Sequence, residues 1–160
     1  MLEFRHELIP EDRKNIVKIL ETSDFFYDFE IEVAAELIDI NLEKGTTASG
    51  YHFIVASENE KVVAYCCYGF DTCTQSSYNL YWLAVDPFYK NKGIGKKLMQ
   101  EVEKSVAELG GSIIWLDTAG RKLYEPTRAF YSAVGYEKIA SLPDYYSPGD
   151  DKVIFMKRIS

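Results

Sequence analysis

The stretch of sequence that decides the fold runs from residue 83 to residue 98 and reads Leu83-Ala84-Val85-Asp86-Pro87-Phe88-Tyr89-Lys90-Asn91-Lys92-Gly93-Ile94-Gly95-Lys96-Lys97-Leu98. It predicts the end of a strand, a basic loop and the start of a long helix. Amide groups at a helix N-terminus lack partners within the helix and favour a bound anion. Gly93 and Gly95 would let a phosphate approach the backbone closely. The pattern therefore predicts a pyrophosphate site.

The spacing of the glycines matches neither of two nucleotide-binding motifs well. A Walker loop has two glycines separated by four residues and followed by Lys-Ser/Thr, and no such run surrounds Gly93. A dinucleotide fingerprint has three glycines in the first strand-to-helix turn, whereas Gly93-Ile94-Gly95 continues with Lys96-Lys97-Leu98 in the middle of the chain. Both nucleotide interpretations are therefore weak, and a glycine-rich helix start with surface lysines is the structural alternative.

The flanking sequence predicts an α/β order of elements. Helices are expected from Pro10 and over Phe29–Lys44, Gly93–Leu109 and Pro126–Val134. Strands are expected over Leu2–Leu8, Tyr51–Ser57, Lys61–Phe70, Tyr78–Val85, Ile113–Leu116, Tyr136–Ala140 and Val153–Ile159, with a loop over Pro143–Asp151. This order predicts a mixed, mostly antiparallel central sheet with helices on both faces. At 160 residues, the chain is expected to form a single domain over residues 1–160.

Composition narrows the partners and the compartment. The net charge of -7 and the pI of about 4.9 disfavour nucleic acid and anionic membranes as partners. No apolar stretch approaches the roughly 18 residues of a membrane span, and the acidic residues among the first twenty argue against a signal peptide. The three cysteines, Cys66, Cys67 and Cys73, form no metal-binding spacing with the two histidines. We therefore expect a cytoplasmic protein without a metal.

Two motifs resemble the GNAT superfamily of N-acetyltransferases. The run from Val85 to Gly95 is similar to its acetyl-CoA motif, Gln/Arg-x-x-Gly-x-Gly/Ala, with Lys90 where Gln or Arg is usual. The second motif, an aromatic pair before a Gly-aromatic step, is present as Phe130-Tyr131 followed by Gly135-Tyr136. The predicted order of elements also matches the superfamily along nearly the whole chain. The resemblance implies an acyltransferase that uses acetyl-CoA.

The resemblance also implies roles for individual residues. In direct attack the acceptor amine reacts with the thioester without a covalent acyl-enzyme, so Cys66 and Cys67 are interpreted as core. Tyr131 is the expected general acid that protonates the leaving thiolate. The expected coenzyme-binding residues are Leu83, Ala84, Val85, Lys90, Asn91, Lys92, Gly93, Ile94, Gly95, Lys96, Thr127 and Tyr131. Helical geometry places Tyr131 about 100° from the stripe of Phe130 and Val134, which is expected to face the core.

The general base is open at this stage. Many relatives have a glutamate on the strand before the pyrophosphate loop, but Tyr78–Trp82 holds no carboxylate. Asp117 is the candidate base, and Asp71 or a chain of water molecules are the alternatives. Both aspartates are also typical turn or cap residues. Tyr124 stands where relatives often have an asparagine that contacts the coenzyme.

The sequence says least about which amine accepts the acetyl group. A late group of acids and rings would favour a cationic amine, or would form a solvated turn; it comprises Asp144, Tyr145, Tyr146, Asp150 and Asp151. Arg128 would pair with a substrate carboxylate or form an ion pair on the helix surface. We expect a small amine or an amino acid as the acceptor, with a peptide or protein N-terminus as the alternative. A CoA-binding regulatory module without turnover is the rival class, and a homodimer is common in the family.

Overall fold

The structure, a computed structural model, describes residues 1–159. Within this range the strands are β1 (Leu2–Arg5), β2 (His52–Glu58), β3 (Lys61–Phe70), β4 (Ser77–Val85), β5 (Ile113–Ala119), β6 (Glu137–Ser147) and β7 (Asp150–Arg158). The helices are α1 (Pro10–Thr22), α2 (Asp28–Ser49), α3 (Ile94–Glu108) and α4 (Glu125–Ala133). Short 3₁₀ turns cover Pro87–Tyr89 and Lys122–Tyr124.

The strands form a seven-stranded mixed sheet in the order β1-β2-β3-β4-β5-β7-β6. The pairs β1–β2, β2–β3, β5–β7 and β6–β7 are antiparallel. The β4–β5 pair is parallel and short, with Ser77, Tyr78 and Asn79 opposite Ile113, Ile114 and Trp115. The prediction of a mixed, mostly antiparallel sheet flanked by helices is confirmed.

By its internal contacts the chain divides into two compact units. Unit 1 comprises Met1–Gly69 and Leu80–Val102. Unit 2 comprises Phe70–Asn79 and the described residues from Glu103 onward. The prediction that residues 1–160 act as one domain stays a prediction.

Unit 1 is built on a core between α1, α2 and the strands β2 and β3. Ile16, Leu20 and Ile38 are fully buried there with Phe53 and Tyr65. Burial of apolar side chains on this scale is the main favourable contribution to folding. The apolar residues that recur along α1 and α2 therefore form the buried face of each helix in unit 1.

The first turn of α1 is anchored by Asp12, whose side chain is buried. Its carboxylate accepts a hydrogen bond from the backbone N–H of Ile9 at 2.8 Å. It also accepts hydrogen bonds from Nη1 and Nη2 of Arg5 at 2.8 and 2.9 Å. The acid thus satisfies an amide at the helix start and balances its own charge. This fixes how β1 leads into α1.

Several boundaries differ from the sequence-based expectation: β1 ends at Arg5 and not at Leu8, and β5 continues to Ala119 and not only to Leu116. Gly45 interrupts α2 with a left-handed φ of 82° as expected, but the helix resumes and ends at Ser49 before Gly50. The loop expected over Pro143–Asp151 is largely strand, because β6 continues to Ser147 and β7 begins at Asp150. Gly149, with φ 82°, permits this tight reversal.

Candidate active site

The loop after β4 is held by Asp86, a buried residue of unit 1. Its backbone N–H donates to the carbonyl of Val63 at 2.8 Å, and its Oδ1 accepts the N–H of Phe88 at 3.0 Å. Lys61 Nζ lies 3.6 Å from the other carboxylate oxygen. Asp86 therefore joins β3 to the 3₁₀ turn and fixes where the basic loop begins. Leu83, Ala84 and Val85 are the last three residues of β4.

The basic loop has an unusual backbone. Asn91 and Gly93 have left-handed φ values of 62° and 77°, with Lys92, whose φ is not positive, between them. Backbone of alternating hand turns successive N–H groups toward one side and forms an anion-binding concavity. A Cβ added to Gly93 would meet nothing within 4 Å, so the backbone angle and not crowding demands glycine here. Asn91 is the residue whose conformation the sequence analysis did not anticipate.

Helix α3 continues the anion site. The N–H of Lys97 donates to the carbonyl of Gly93 at 3.1 Å and closes the first turn. The N–H groups of Ile94, Gly95 and Lys96 have no intrahelical partner by helix geometry. No acidic side chain stands in this turn, and the dipole of the helix is positive at this end. The backbone therefore fits a pyrophosphate.

The lysines of the loop differ in their surroundings. Lys90 Nζ lies 4.5 Å from the centroid of the Phe25 ring, and Lys92 Nζ lies 5.1 Å from that of Tyr89. Both ammonium groups are thereby held against aromatic faces. Lys96 is exposed on the first turn of α3. The predicted coenzyme-binding residues 90–96 thus form one continuous, positively charged loop and helix start in unit 1.

Helix α4 in unit 2 carries Tyr131, which is buried. Its ring centroid lies 5.2 Å from that of Phe130 and 6.0 Å from those of Tyr136 and Phe155. The expectation that Phe130 and Val134 form the buried stripe and Tyr131 points away is wrong, because both residues are only half-buried. Contacts with β7 and with the start of β6 decide the buried face of this short helix.

A charged network supports the end of α4. Tyr136 Oη donates to Glu103 Oε2 at 3.1 Å, and Lys157 Nζ donates to Glu103 Oε1 and to the carbonyl of Val134, both at 3.0 Å. Burial raises the pKa of Tyr136 well above its ordinary value, and the charge of Glu103 raises it further. The phenol therefore stays protonated beside Tyr131. The sequence analysis found neither Glu103 nor Lys157.

Asp117 lies near the end of β5, with its side chain about half exposed at 49%. Tyr146 Oη donates to Asp117 Oδ1 at 2.9 Å, and Lys152 Nζ lies 3.7 Å from Oδ2. The ring of Tyr145 packs edge-on against that of Tyr146, with centroids 5.2 Å apart. Burial and the charge of Asp117 raise the pKa of Tyr146 above its ordinary value, so this phenol remains a donor. The carboxylate is oriented but accessible.

Asp71, the alternative base, is engaged in the turn after β3. Its Oδ1 accepts the N–H of Cys73 at 3.1 Å, and its Oδ2 lies 3.4 Å from Asn79 Nδ2. This is the pattern of an Asx turn. Both candidate carboxylates thus have partners, Asp71 within its turn and Asp117 with Tyr146 and Lys152, and the identity of the base stays a prediction.

The acids of the late hairpin have structural roles. Asp150 is buried and pairs with Arg121 at 2.8 Å. Asp151 accepts the N–H of Asp144 at 3.0 Å, and Asp144 accepts the N–H of Gly149 at 2.7 Å. The aspartates therefore shape the turn. Of the residues expected to attract an amine, Tyr145 and Tyr146 are the ones that carry exposed surface without such a task.

Arg128 on α4 contacts the backbone, and its pairing with a substrate carboxylate stays a prediction. Its Nη1 donates to the carbonyls of Ala119 and Arg121 at 2.7 and 3.0 Å. It therefore ties the helix to the end of β5. Tyr124 is buried, with the guanidinium of Arg121 4.7 Å from its ring centroid. Thr127 is half-buried on the first turn of α4.

Residues 1–159 offer neither a metal-binding cluster nor a membrane-spanning helix. No cluster of three or more His, Cys, Asp or Glu side chains suited to a metal lies in that part of the chain. None of its helices is both long enough and apolar enough to cross a bilayer. Cys66 and Cys67 are buried on β3, and burial raises the pKa of both thiols.

Comparison with known proteins identifies the family. The model of the acetyltransferase (GNAT) family matches residues 15–136. The crystal structure of a protein from Desulfovibrio desulfuricans assigned to the GNAT family is 36% identical, has a TM-score of 0.96 and matches 100% of both chains.

Two further relatives are more distant. A ribosomal protein bS18-alanine N-acetyltransferase of Haemophilus ducreyi is 28% identical over 141 residues, which cover 84% of this chain and 91% of that protein. The structure of the PaiA N-acetyltransferase of Thermoplasma acidophilum in complex with coenzyme A shares the fold, with a TM-score of 0.76, 18% identity and 99% coverage of both chains. On the family match and the full-length likeness, this chain belongs to the GNAT family of acetyltransferases.

Proposed function

We propose that this chain transfers the acetyl group of acetyl-CoA to a primary amine. The observation that carries the proposal is the basic loop, in which left-handed Asn91 and Gly93 lead into the first turn of α3. This backbone favours a pyrophosphate. The complex of the Thermoplasma relative with coenzyme A supports the same ligand here. The coenzyme-binding residues are Leu83, Ala84, Val85, Lys90, Asn91, Lys92, Gly93, Ile94, Gly95, Lys96, Thr127 and Tyr131.

Acetyl-CoA supplies the acetyl group as an activated thioester. Asp117 accepts a proton from the acceptor's ammonium group, and the neutral nitrogen then bonds to the carbonyl carbon while the carbon–sulfur bond breaks. Tyr131 donates its phenolic proton to the leaving thiolate. Backbone groups of Leu83–Val85 bind the pantetheine arm and polarise the carbonyl. The acylated nitrogen releases its second proton to solvent, Asp117 gives up the proton that it accepted and Tyr131 takes one back, so one proton is released for each amide and thiol formed.

The acceptor is a small amine or an amino acid. The exposed rings of Tyr145 and Tyr146 beside the carboxylate of Asp117 favour a cation. The second candidate is the N-terminal amine of a peptide or protein. It is favoured by the likeness to the bS18-alanine N-acetyltransferase, which covers most of both chains.

The whole chain, residues 1–160, acts as one catalytic domain in the cytoplasm. The family match supports this, because residues 15–136 include parts of both compact units. A homodimer is the assembly that the family resemblance favours. Sedimentation of the purified protein tests the assembly.

Two measurements test the proposal. Titration calorimetry measures the affinity for acetyl-CoA, and a thiol-release assay measures turnover with amino acids, diamines, aminoglycosides and a peptide that begins with alanine. We expect binding, and turnover with at least one of these amines. Binding without turnover on any amine would favour the regulatory module, and absence of coenzyme binding would overturn the acetyltransferase itself.

A further inference from the structure

In unit 2 the ammonium group of Lys152 lies between a carboxylate and an aromatic ring. Lys152 Nζ lies 3.7 Å from Asp117 Oδ2 and 4.5 Å from the centroid of the Tyr145 ring. A carboxylate and the face of an aromatic ring both attract an ammonium group. The ammonium of Lys152 therefore has the surroundings that the ammonium of an acceptor would require.

Strand register places Lys152 in this position. Lys152 on β7 is opposite Ala119 on β5, and Asp117 is two residues before Ala119. Because side chains alternate between the faces of a sheet, Asp117 and Lys152 are diagonal neighbours on one face. The lysine side chain is 23% exposed. Its contact with the carboxylate thus follows from the fold of the β5–β7 pair.

The two oxygens of Asp117 have different partners. Tyr146 Oη donates to Oδ1 at 2.9 Å, whereas Lys152 faces Oδ2. The phenol leaves one oxygen for a cation, and a second ammonium at that oxygen would be repelled by the first. An acceptor's ammonium at Oδ2 is therefore expected to compete with that of Lys152.

We propose that Lys152 occupies the ammonium subsite of the acceptor and that the acceptor's amine displaces it before reaction. The inference rests on the proposed role of Asp117 as the base. The ion pair to be broken is a weak one, because Nζ and Oδ2 are 3.7 Å apart and the Asp117 side chain is about half exposed. Competition with Lys152 raises the KM for a cationic acceptor. The factor is the reciprocal of the fraction of molecules in which the subsite is empty. Lys152 is thus a specificity-determining residue that weakens binding of poorly matched amines.

The kinetic test compares Lys152→Met, Lys152→Arg and Lys138→Met with the best acceptor of the amine panel. Lys152→Met keeps an unbranched apolar stem but removes the charge, and should lower the KM for a cationic acceptor about 3- to 10-fold at nearly constant kcat. Lys152→Arg keeps the charge and should keep a KM near that of the wild type. Lys138→Met removes an exposed charge from the neighbouring strand β6 and should change neither constant. An unchanged or raised KM in Lys152→Met would overturn the inference.

A binding test decides the inference independently of turnover. The lysines are reductively methylated with ¹³C-formaldehyde, and the Lys152 resonance is assigned by its absence in Lys152→Arg. Addition of n-butylammonium chloride should shift this resonance, whereas sodium chloride at equal ionic strength should not. Equal responses to the two salts would refute displacement. Failure to acetylate any amine would instead refute the proposed function, and the methyl resonance would still report whether Lys152 leaves Asp117.

Discussion

The phenol of Tyr146 donates a hydrogen bond of 2.9 Å to Oδ1 of Asp117, across 29 positions of sequence. A hydrogen bond to a charged group is among the stronger ones in proteins and holds the carboxylate in one orientation. Tyr146→Phe should therefore lower kcat about tenfold, the equivalent of one such hydrogen bond. Steady-state kinetics with the best acceptor measure the change.

Tyr145→Phe is the matched control for this substitution. It removes a hydroxyl from the adjacent ring of the same strand but keeps the ring that faces Lys152. We expect kcat to stay within about twofold of the wild type, because no reacting proton passes through this hydroxyl. Equal losses of kcat in the two variants would contradict the orienting role of Tyr146.

The left-handed backbone at Gly93 should control coenzyme affinity. Gly93→Ala places a Cβ at φ 77°, which costs about 1–2 kcal/mol and shifts the loop away from its anion-binding form. The Kd for acetyl-CoA should rise about tenfold in calorimetry.

Gly50→Ala is the control, because Gly50 has the same φ of 77° and an added Cβ there also meets nothing within 4 Å. It lies at the end of α2, outside the basic loop. Both variants should lose similar stability in denaturant unfolding, but only Gly93→Ala should lose affinity. A Kd unchanged in Gly93→Ala would argue against the phosphate role of the loop.

Removal of the Tyr131 hydroxyl should slow the chemical step. Tyr131→Phe is expected to lower kcat about 10²-fold, since a positioned general acid contributes at least that much. The ring contacts with Phe130, Tyr136 and Phe155 survive the change, so the fold should persist. Calorimetry should find the Kd for acetyl-CoA within about threefold of the wild type. A kcat equal to that of the wild type would remove Tyr131 from the mechanism.

Loss of the hydroxyl should change the free energy of unfolding in opposite directions at two buried tyrosines. The hydroxyl of Tyr65 has no hydrogen-bond partner among the described residues, and its side chain is fully buried. Tyr65→Phe should raise the free energy of unfolding by about 1 kcal/mol, because an unsatisfied buried hydroxyl is unfavourable. Tyr136→Phe should lower it by about 1–2 kcal/mol, because its hydroxyl donates to Glu103. Chemical unfolding measures both, and destabilisation of Tyr65→Phe would contradict the prediction.

The stability of the fold should depend on pH through His52. Burial lowers the pKa of this imidazole, which stacks on Tyr68 with ring centroids 5.0 Å apart. The unfolded chain, with an ordinary pKa of about 6.5, therefore binds more protons than the folded chain just below that pH. The free energy of unfolding should consequently be highest above pH 6.5 and fall as the pH drops through that value toward the lowered pKa.

Urea unfolding at several pH values tests this dependence. His52→Phe should remove the decline, whereas His6→Gln should retain it, and these are the two histidines of the chain. A decline in the free energy of unfolding that persists in His52→Phe and vanishes in His6→Gln would contradict the prediction, because the pH dependence would then come from His6.

The basic loop could be predicted from sequence because its signals are local. Two glycines, several lysines and a helical repeat after a strand all lie within sixteen consecutive residues. The left-handed conformation of Asn91 was not predictable in the same way, since asparagine tolerates that conformation but does not require it. Gly93 was easier to predict, because a glycine before a helix commonly marks a position with positive φ or a close approach of a ligand to the backbone.

The partners of the catalytic candidates could not be predicted, because they are distant in sequence. Lys157 reaches Glu103 across 54 positions, and Tyr146 reaches Asp117 across 29. The buried face of α4 was also misjudged, since nine residues give too few turns for periodicity to define a stripe. Tertiary contact with Phe155 settled the orientation of Tyr131 instead.

The β6–β7 hairpin separates the residues that shape it from the residues that it displays. Asp144, Asp150 and Asp151 hold the turn through backbone amides and Arg121, whereas Tyr145 and Tyr146 project from it. Under the proposed function, substitution of Tyr145 would change which amine is accepted while the hairpin keeps its form, whereas Tyr146 would have to keep the phenol that orients Asp117. A new acceptor preference would then require the exchange of one side chain, without insertion, deletion or refolding of the strand pair.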